Sequence, residues 1–221
     1  MGGNGQVGVF IESGRRRVFA SALDWPGWAR SGKTEEIALE TLADYLPRYL
    51  VIVRRAGLPA PAGGLAVIER HPGLAKNADF GALGEVAAAE HEPLTDDVGA
   101  RLALLLQASW QAFDEGTAVA PAVLRKGPRG GGRDTDQIVR HVTDAEVMFA
   151  RKMGVPRDTA AQPGQEAAAA LRARIAGALR APGSVQTPRN GWPTRYAARR
   201  MAWHVLDHLW EIEDKSDPAR A

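Results

Sequence analysis

The chain has 221 residues, 45% of them hydrophobic, with 28 basic and 26 acidic side chains and a net charge of +2. That is enough apolar material for one large domain or two small ones, and so near a balance of charge leaves no strongly basic face, so nucleic acid is not expected as a partner. There is no cysteine, which excludes disulfides, thiolate metal sites and a cysteine nucleophile, so any metal must be held by histidines and carboxylates.

Residues 6–12 (QVGVFIE) and 16–23 (RRVFASAL) are β-branched and aromatic runs separated by Ser13-Gly14, which predicts two antiparallel strands joined by a turn. After a Pro26-Gly27 turn, Thr34 is an N-cap candidate, with Glu35 and Glu36 where a helix dipole favours anions. A helix is expected from about Glu35 to Arg55 with Ile37, Leu42, Leu46, Leu50 and Val53 on its apolar side; Pro47 kinks or splits it, because proline lacks an N–H and clashes with the preceding turn. Leu65–Glu69 (LAVIE) reads as a third strand, which completes a ββαβ unit. The basic clusters Arg15-Arg16-Arg17 and Arg54-Arg55 are short and lack interleaved aromatics, so they read as solvated surface.

The stretch 71–92 is Gly- and Ala-rich with no clear period, and the domain boundary is placed in it: a first domain over 1–75, a linker over 76–92 and a helical domain over 93–221. Thr95 can cap a helix from Asp96 to about Asp114, striped by Val98, Leu102, Leu105, Leu106, Ser109, Trp110 and Phe113. A second helix starts near Asp134 and ends at Gly154-Val155-Pro156, a third covers about Gly164–Arg180, and a fourth follows Trp192-Pro193 to about Lys215. The fold class expected is α+β, a small ββαβ unit followed by a four-helix bundle, an architecture whose core can host a metal. No apolar run approaches the length of a membrane span and the N-terminus lacks the pattern of a signal peptide, while Gln6 spoils a myristoylation motif; the cytoplasm is the expected location.

The chemistry concentrates on histidine. His204 and His208 lie one turn apart on the inward stripe of the fourth helix, among Ala197, Met201, Val205, Leu209 and Ile212. Residues so spaced hold their Cβ atoms roughly 5–6 Å apart, so two imidazole nitrogens can converge on one ion at about 2.0–2.1 Å each. His141 lies on the apolar stripe of the second helix, between Ile138 and Ala145, and a third imidazole would complete a face of three with an open position, the pattern of a catalytic site. The competing reading is three buried neutral histidines satisfied by hydrogen bonds. HEXXH metalloprotease chemistry is excluded because Val205 and Leu206 follow His204. Asp144, Glu146, Asp207 and Glu211 stand nearby in sequence; one can accept the other N–H of a ligating imidazole and so orient it, while most belong to the polar faces of their helices.

A lone histidine followed by acids (HVTDAE) and a later HxxxH helix (HVLDHLWEIE), within about 125 residues of helical pattern, resembles the DinB-like superfamily, which includes mycothiol-dependent maleylpyruvate isomerases and bacillithiol transferases. The resemblance implies a divalent metal, zinc or nickel, on His141, His204 and His208, with a low-molecular-weight thiol as cosubstrate and a small-molecule substrate. The run VFASALDWPGWARSGKTEEIAL, with Gly32, Thr34, Glu36 and Ala38, resembles the HicB-like fold over about fifty residues, departing from it at Ile37. That resemblance implies an accessory domain, or a partner-binding module of antitoxin type.

The segment PRGGGRD, Pro128 to Asp134, can offer backbone N–H groups and the guanidinia of Arg129 and Arg133 to an anion, or serve only as a flexible connection. It is neither a Walker loop nor a dinucleotide fingerprint. The expected activity is metal activation of water or thiol for thiol transfer, isomerisation or hydrolysis, in a protein that forms a homodimer. The alternative is a non-catalytic interaction or stress-associated module.

Overall fold

The computed structural model describes residues 5–127, 131–156 and 164–216. The chain is a mixed α+β protein: a four-stranded sheet near the N-terminus, then a helical region. Strands β1 (Val7–Ser13) and β2 (Val18–Ala22) form the antiparallel pair that the two apolar runs predict, with Val9 opposite Ala22 and Ser13 opposite Val18. Between them the chain turns over Gly14–Arg17, where Gly14 N–H donates to the Arg17 carbonyl at 2.8 Å and the Asp79 carboxylate accepts from the backbone N–H groups of Arg15 (3.0 Å) and Arg16 (2.6 Å). Those amides hold the Asp79 carboxyl below the usual carboxylate range.

A short strand absent from the sequence reading, β3 (Ala29–Gly32), pairs antiparallel with β2, and β4 (Leu65–Arg70) runs parallel to β1, so the sheet order is β3-β2-β1-β4. The region read as one interrupted helix is two, α1 (Glu35–Asp44) and α2 (Leu46–Arg55), broken at Tyr45 with Pro47 in the first turn of α2, where a missing N–H costs nothing. Ala38, Leu42, Tyr49, Ile52 and Val53 are buried, while Ile37 is left 42% exposed. Thr34 does cap α1, its hydroxyl accepting from Ile37 N–H.

The two faces of the sheet have different cover. Val9, Ile11, Ala20 and Trp28 pack into the main core with Leu42, Tyr49 and Ile52, and Tyr49 lies stacked against Trp28 with its hydroxyl donating to the Pro26 carbonyl. The other face, which carries Phe10, Glu12 and Phe19, is covered by residues 75–92 and by the last helix. That stretch includes a one-turn helix α3 (Lys76–Asp79) and a 3-10 turn at Ala88–His91, and buries Ala75, Ala78, Leu83 and Ala87. It is therefore packed cover for the sheet as well as a connection.

Four long helices follow: α4 (Asp96–Val119), α5 (Thr135–Met153), α6 (Gln165–Arg180) and α7 (Thr194–Ser216). α4 packs on α6 and α7, and α5 on the same two. α4 continues past the expected Asp114 to Val119, and α5 ends at Gly154, whose φ of +97° suits a left-handed cap. α7 touches both the helical core and the sheet side, so it is buried nearly all round: Ala197, Met201, Val205 and Leu209 on one side, Tyr196, Arg199, Trp203 and Leu206 on others.

Arg199 is the polar centre of that junction. It is 1% exposed and its Nε and Nη2 grip the two oxygens of Glu90 at 2.6 and 2.9 Å; Nη2 also donates to the Glu85 carbonyl at 2.8 Å, and Nη1 reaches Glu12 of β1 at 3.4 Å. The other oxygen of Glu12 accepts from the N–H groups of Gly84 (2.8 Å) and Glu85 (3.0 Å). One guanidinium thus joins β1, the 75–92 cover and α7. Removing one partner of such a buried set leaves charge uncompensated, so Arg199→Ala should cost about 3–5 kcal/mol, measured by urea unfolding with the triple variant Arg199→Met/Glu12→Gln/Glu90→Gln, which removes all three charges together, as the control. A loss under about 1 kcal/mol would show that the cluster is not the clamp between sheet and helix.

Candidate metal centre

Helices α5 and α7 pack against each other, and their periodicity carries His141, Ile138 and Val142 toward the side of α7 that presents His204 and His208. The two Nε2 atoms of His141 and His204 are 3.1 Å apart, and one nitrogen from each of the three imidazoles lies within 4.8 Å of the other two. The rings stand steeply to one another: centroids are 5.0 Å apart for His141 and His204, 4.9 Å for His141 and His208, and 4.7 Å for His204 and His208. Two nitrogens on a tetrahedral ion at about 2.0–2.1 Å stand roughly 3.3 Å apart. The closest pair already has that spacing, and the His208 nitrogen lies within 4.8 Å of both.

Burial keeps these rings suited to ligation. His204 is 8% exposed, and burial, assisted by His208 and the positive Arg200, pushes its pKa down to about 2. His141, more open to solvent, is lowered by burial and then by Arg133 and His208. His208 Nδ1 meets the Glu211 carboxylate at 2.8 Å, and Lys215 donates to the other oxygen of that carboxylate. Held between these donors, the Glu211 carboxyl falls to about 2. With Nδ1 committed to Glu211, His208 offers Nε2 to the cluster, the carboxylate–histidine arrangement common around ligating imidazoles. His204 differs: its Nδ1 is buried and has no hydrogen-bond partner among the described residues, and its ring is held instead by an edge-on contact with Phe149 at 5.5 Å.

Glu211 is thus the carboxylate that orients a histidine. Asp144 is exposed on α5. Glu146 is buried but turned to the opposite side of α5, where Arg172 grips both its oxygens at 2.9 and 3.0 Å; burial pushes its carboxyl up against that attraction. Asp207 faces the sheet, accepting from Arg30 at 3.0 Å. The spacing of Glu211 from His208, three residues on one helix, was the available signal, since residues so spaced are neighbours on its surface. Arg133 lies near enough to lower His141 and His204 electrostatically, whereas Arg129 lies outside the described residues.

No protein-family model, curated protein or solved structure matches the chain. The geometry alone defines a cluster of three imidazoles, two of them buried, set between two helices and backed by one carboxylate.

The depressed His204 pKa has a stability consequence in metal-free protein. The imidazole titrates at its ordinary 6.5 when unfolded and near 2 when folded, so below 6.5 the unfolded chain binds more protons and stability falls with pH, by up to about 1.4 kcal/mol per unit. Glu211 acts in the same direction, but only between its ordinary 4.5 and about 2. Between about pH 6.5 and 4.5, His204→Phe should therefore flatten the dependence of urea-unfolding free energy on pH. An unchanged slope in that window would show that His204 protonates freely in the folded protein.

Proposed function

We propose that the chain is a divalent-metal-dependent enzyme of DinB-like type, with His141, His204 and His208 as ligands and an N-terminal HicB-like accessory domain. The carrying observation is the 3.1 Å approach of two Nε2 nitrogens with a third imidazole beside them. A divalent ion held there, zinc or nickel, supplies Lewis acidity for activating water or a low-molecular-weight thiol. The chain's own contribution is positional. Burial keeps His204 neutral, Glu211 fixes the tautomer of His208, and the half-buried His141 leaves the cluster approachable from the α5 side. Such a site supports thiol transfer, isomerisation of a thiol adduct or hydrolysis of a small molecule. Among the described residues no helix is long and apolar enough to cross a membrane.

Elemental analysis of protein made without a polyhistidine tag should find about one equivalent of metal per chain, absent from a folded His204→Ala/His208→Ala variant. No metal in the native protein, even after reconstitution with zinc or nickel, would overturn the reading. In the same assay Glu211→Gln should lower metal affinity by about 10–100-fold, whereas Asp144→Asn should not change it.

A further inference from the structure

Arg200 lies one turn before His204, so Arg200, His204 and His208 follow one another along the side of α7 that meets α5. Its guanidinium stands 4.6 Å from the Trp203 ring and 5.2 Å from that of Phe149, the same ring that meets His204 edge-on. Two aromatic rings steady the cation but bring no counter-charge.

Arg200 makes no ion pair among the described residues. The carboxylates of this part of the fold are engaged elsewhere: Glu12 and Glu90 hold Arg199, Asp207 holds Arg30, and Glu211 holds His208 and Lys215. Asp144 is exposed on α5. Within the same stretch of α7 three nitrogens, Arg200 Nη1, Trp203 Nε1 and His204 Nδ1, are buried with no hydrogen-bond partner among the described residues. Buried polar groups are nearly always paired, and a cation drawn out of water without a counter-charge destabilises a fold. Arg200 is half-buried rather than sealed, so it remains open to a ligand from outside. The neighbouring cluster has the same sign: three neutral imidazoles leave a divalent ion its full charge, and the charge of Arg200 is already felt at His204.

We propose that Arg200 sets the specificity of this site by holding the carboxylate of a small anionic substrate whose other end lies on the metal. The inference rests on the metal reading of His141, His204 and His208 and adds a substrate class to it. A guanidinium matches a carboxylate in both charge and shape. One helical turn between Arg200 and His204 sets their Cβ atoms roughly 5–6 Å apart, which suits a short chain between the two groups of the substrate.

The probes are 3-mercaptopropionate and its uncharged methyl ester, titrated into untagged, cobalt-loaded protein and followed by the thiolate-to-cobalt absorption band. The acid should bind about tenfold or more tighter than the ester. Arg200→Met should take up as much cobalt as the native chain and lose that preference. Equal affinities in the native protein would overturn the proposal, as would a preference kept by Arg200→Met, which would put the carboxylate on the metal. Stability separates this role from a structural one. Because Arg200→Met removes an uncompensated cation, the Tm of the metal-free variant should hold or rise; a fall of more than about 5 °C, or failure to fold, would make Arg200 structural and overturn the proposal. Native protein that takes up no cobalt would overturn the metal reading and this inference together, whereas cobalt uptake with binding indifferent to Arg200 would overturn this inference alone.

Discussion

The arrangement of this protein depends on one buried guanidinium. Arg199 leaves water completely, a change that would cost several kcal/mol without compensation, and it finds compensation only because Glu12, Glu90 and the Glu85 carbonyl converge from two other parts of the chain. Those partners settle the rotation and height of α7 against the sheet. Because α7 is a rigid helix, fixing Arg199 also fixes His204 and His208, five and nine residues further along, against α5. The polar cluster that ties sheet to helix is thus the frame for the histidine cluster on the neighbouring side.

Other charged contacts repeat this division of labour along α7. Arg30 on β3 binds Asp207 and lies 4.0 Å over the Tyr45 ring, while Arg48 on α2 reaches Glu213 and Asp214. Pairs this open to solvent contribute little each. Their placement still explains why α7 keeps Asp207 and Asp214 on the side that faces Arg30 and Arg48. Trp203 adds a flat apolar surface between Phe19 and Arg200, whose guanidinium lies 4.6 Å over the indole ring.

Much of this was legible before the structure. The β1–β2 pair, β4, the capped start of α1 and all four long helices follow from alternation, helical period, Thr34, Thr95 and the Gly154-Val155-Pro156 stop. The strand β3 was not, because four residues reading ARSG carry neither length nor β-branched content, and the strand exists only through pairing with β2. Nor could the period of α7 reveal its second buried side. A helix packed on several sides has no single apolar stripe, so nothing in its period singles out Arg199 or Trp203. The role of residues 75–92 was hidden for a related reason: their order comes from small buried alanines and backbone N–H groups donated to Glu12, which leave no periodic trace.

The candidate site shows the same boundary between what spacing specifies and what tertiary contact decides. An HxxxH pair on a helix places two imidazoles on one face by geometry alone, and a third on an apolar stripe is an invitation to meet them; the distances among the rings come from α5–α7 packing. The sequence offered four carboxylates as possible orienters, and each has a distinct fate because each projects in a different direction from its helix. Asp144 points to solvent, Glu146 to Arg172, Asp207 to Arg30 and Glu211 to His208. Only the last can fix an imidazole, because it alone shares the histidine face and is itself held by Lys215 on the next turn. A carboxylate anchored on one side by an ammonium and on the other by an imidazole N–H has little freedom to rotate away. The orientation of His208 is therefore built into α7 before any ligand arrives.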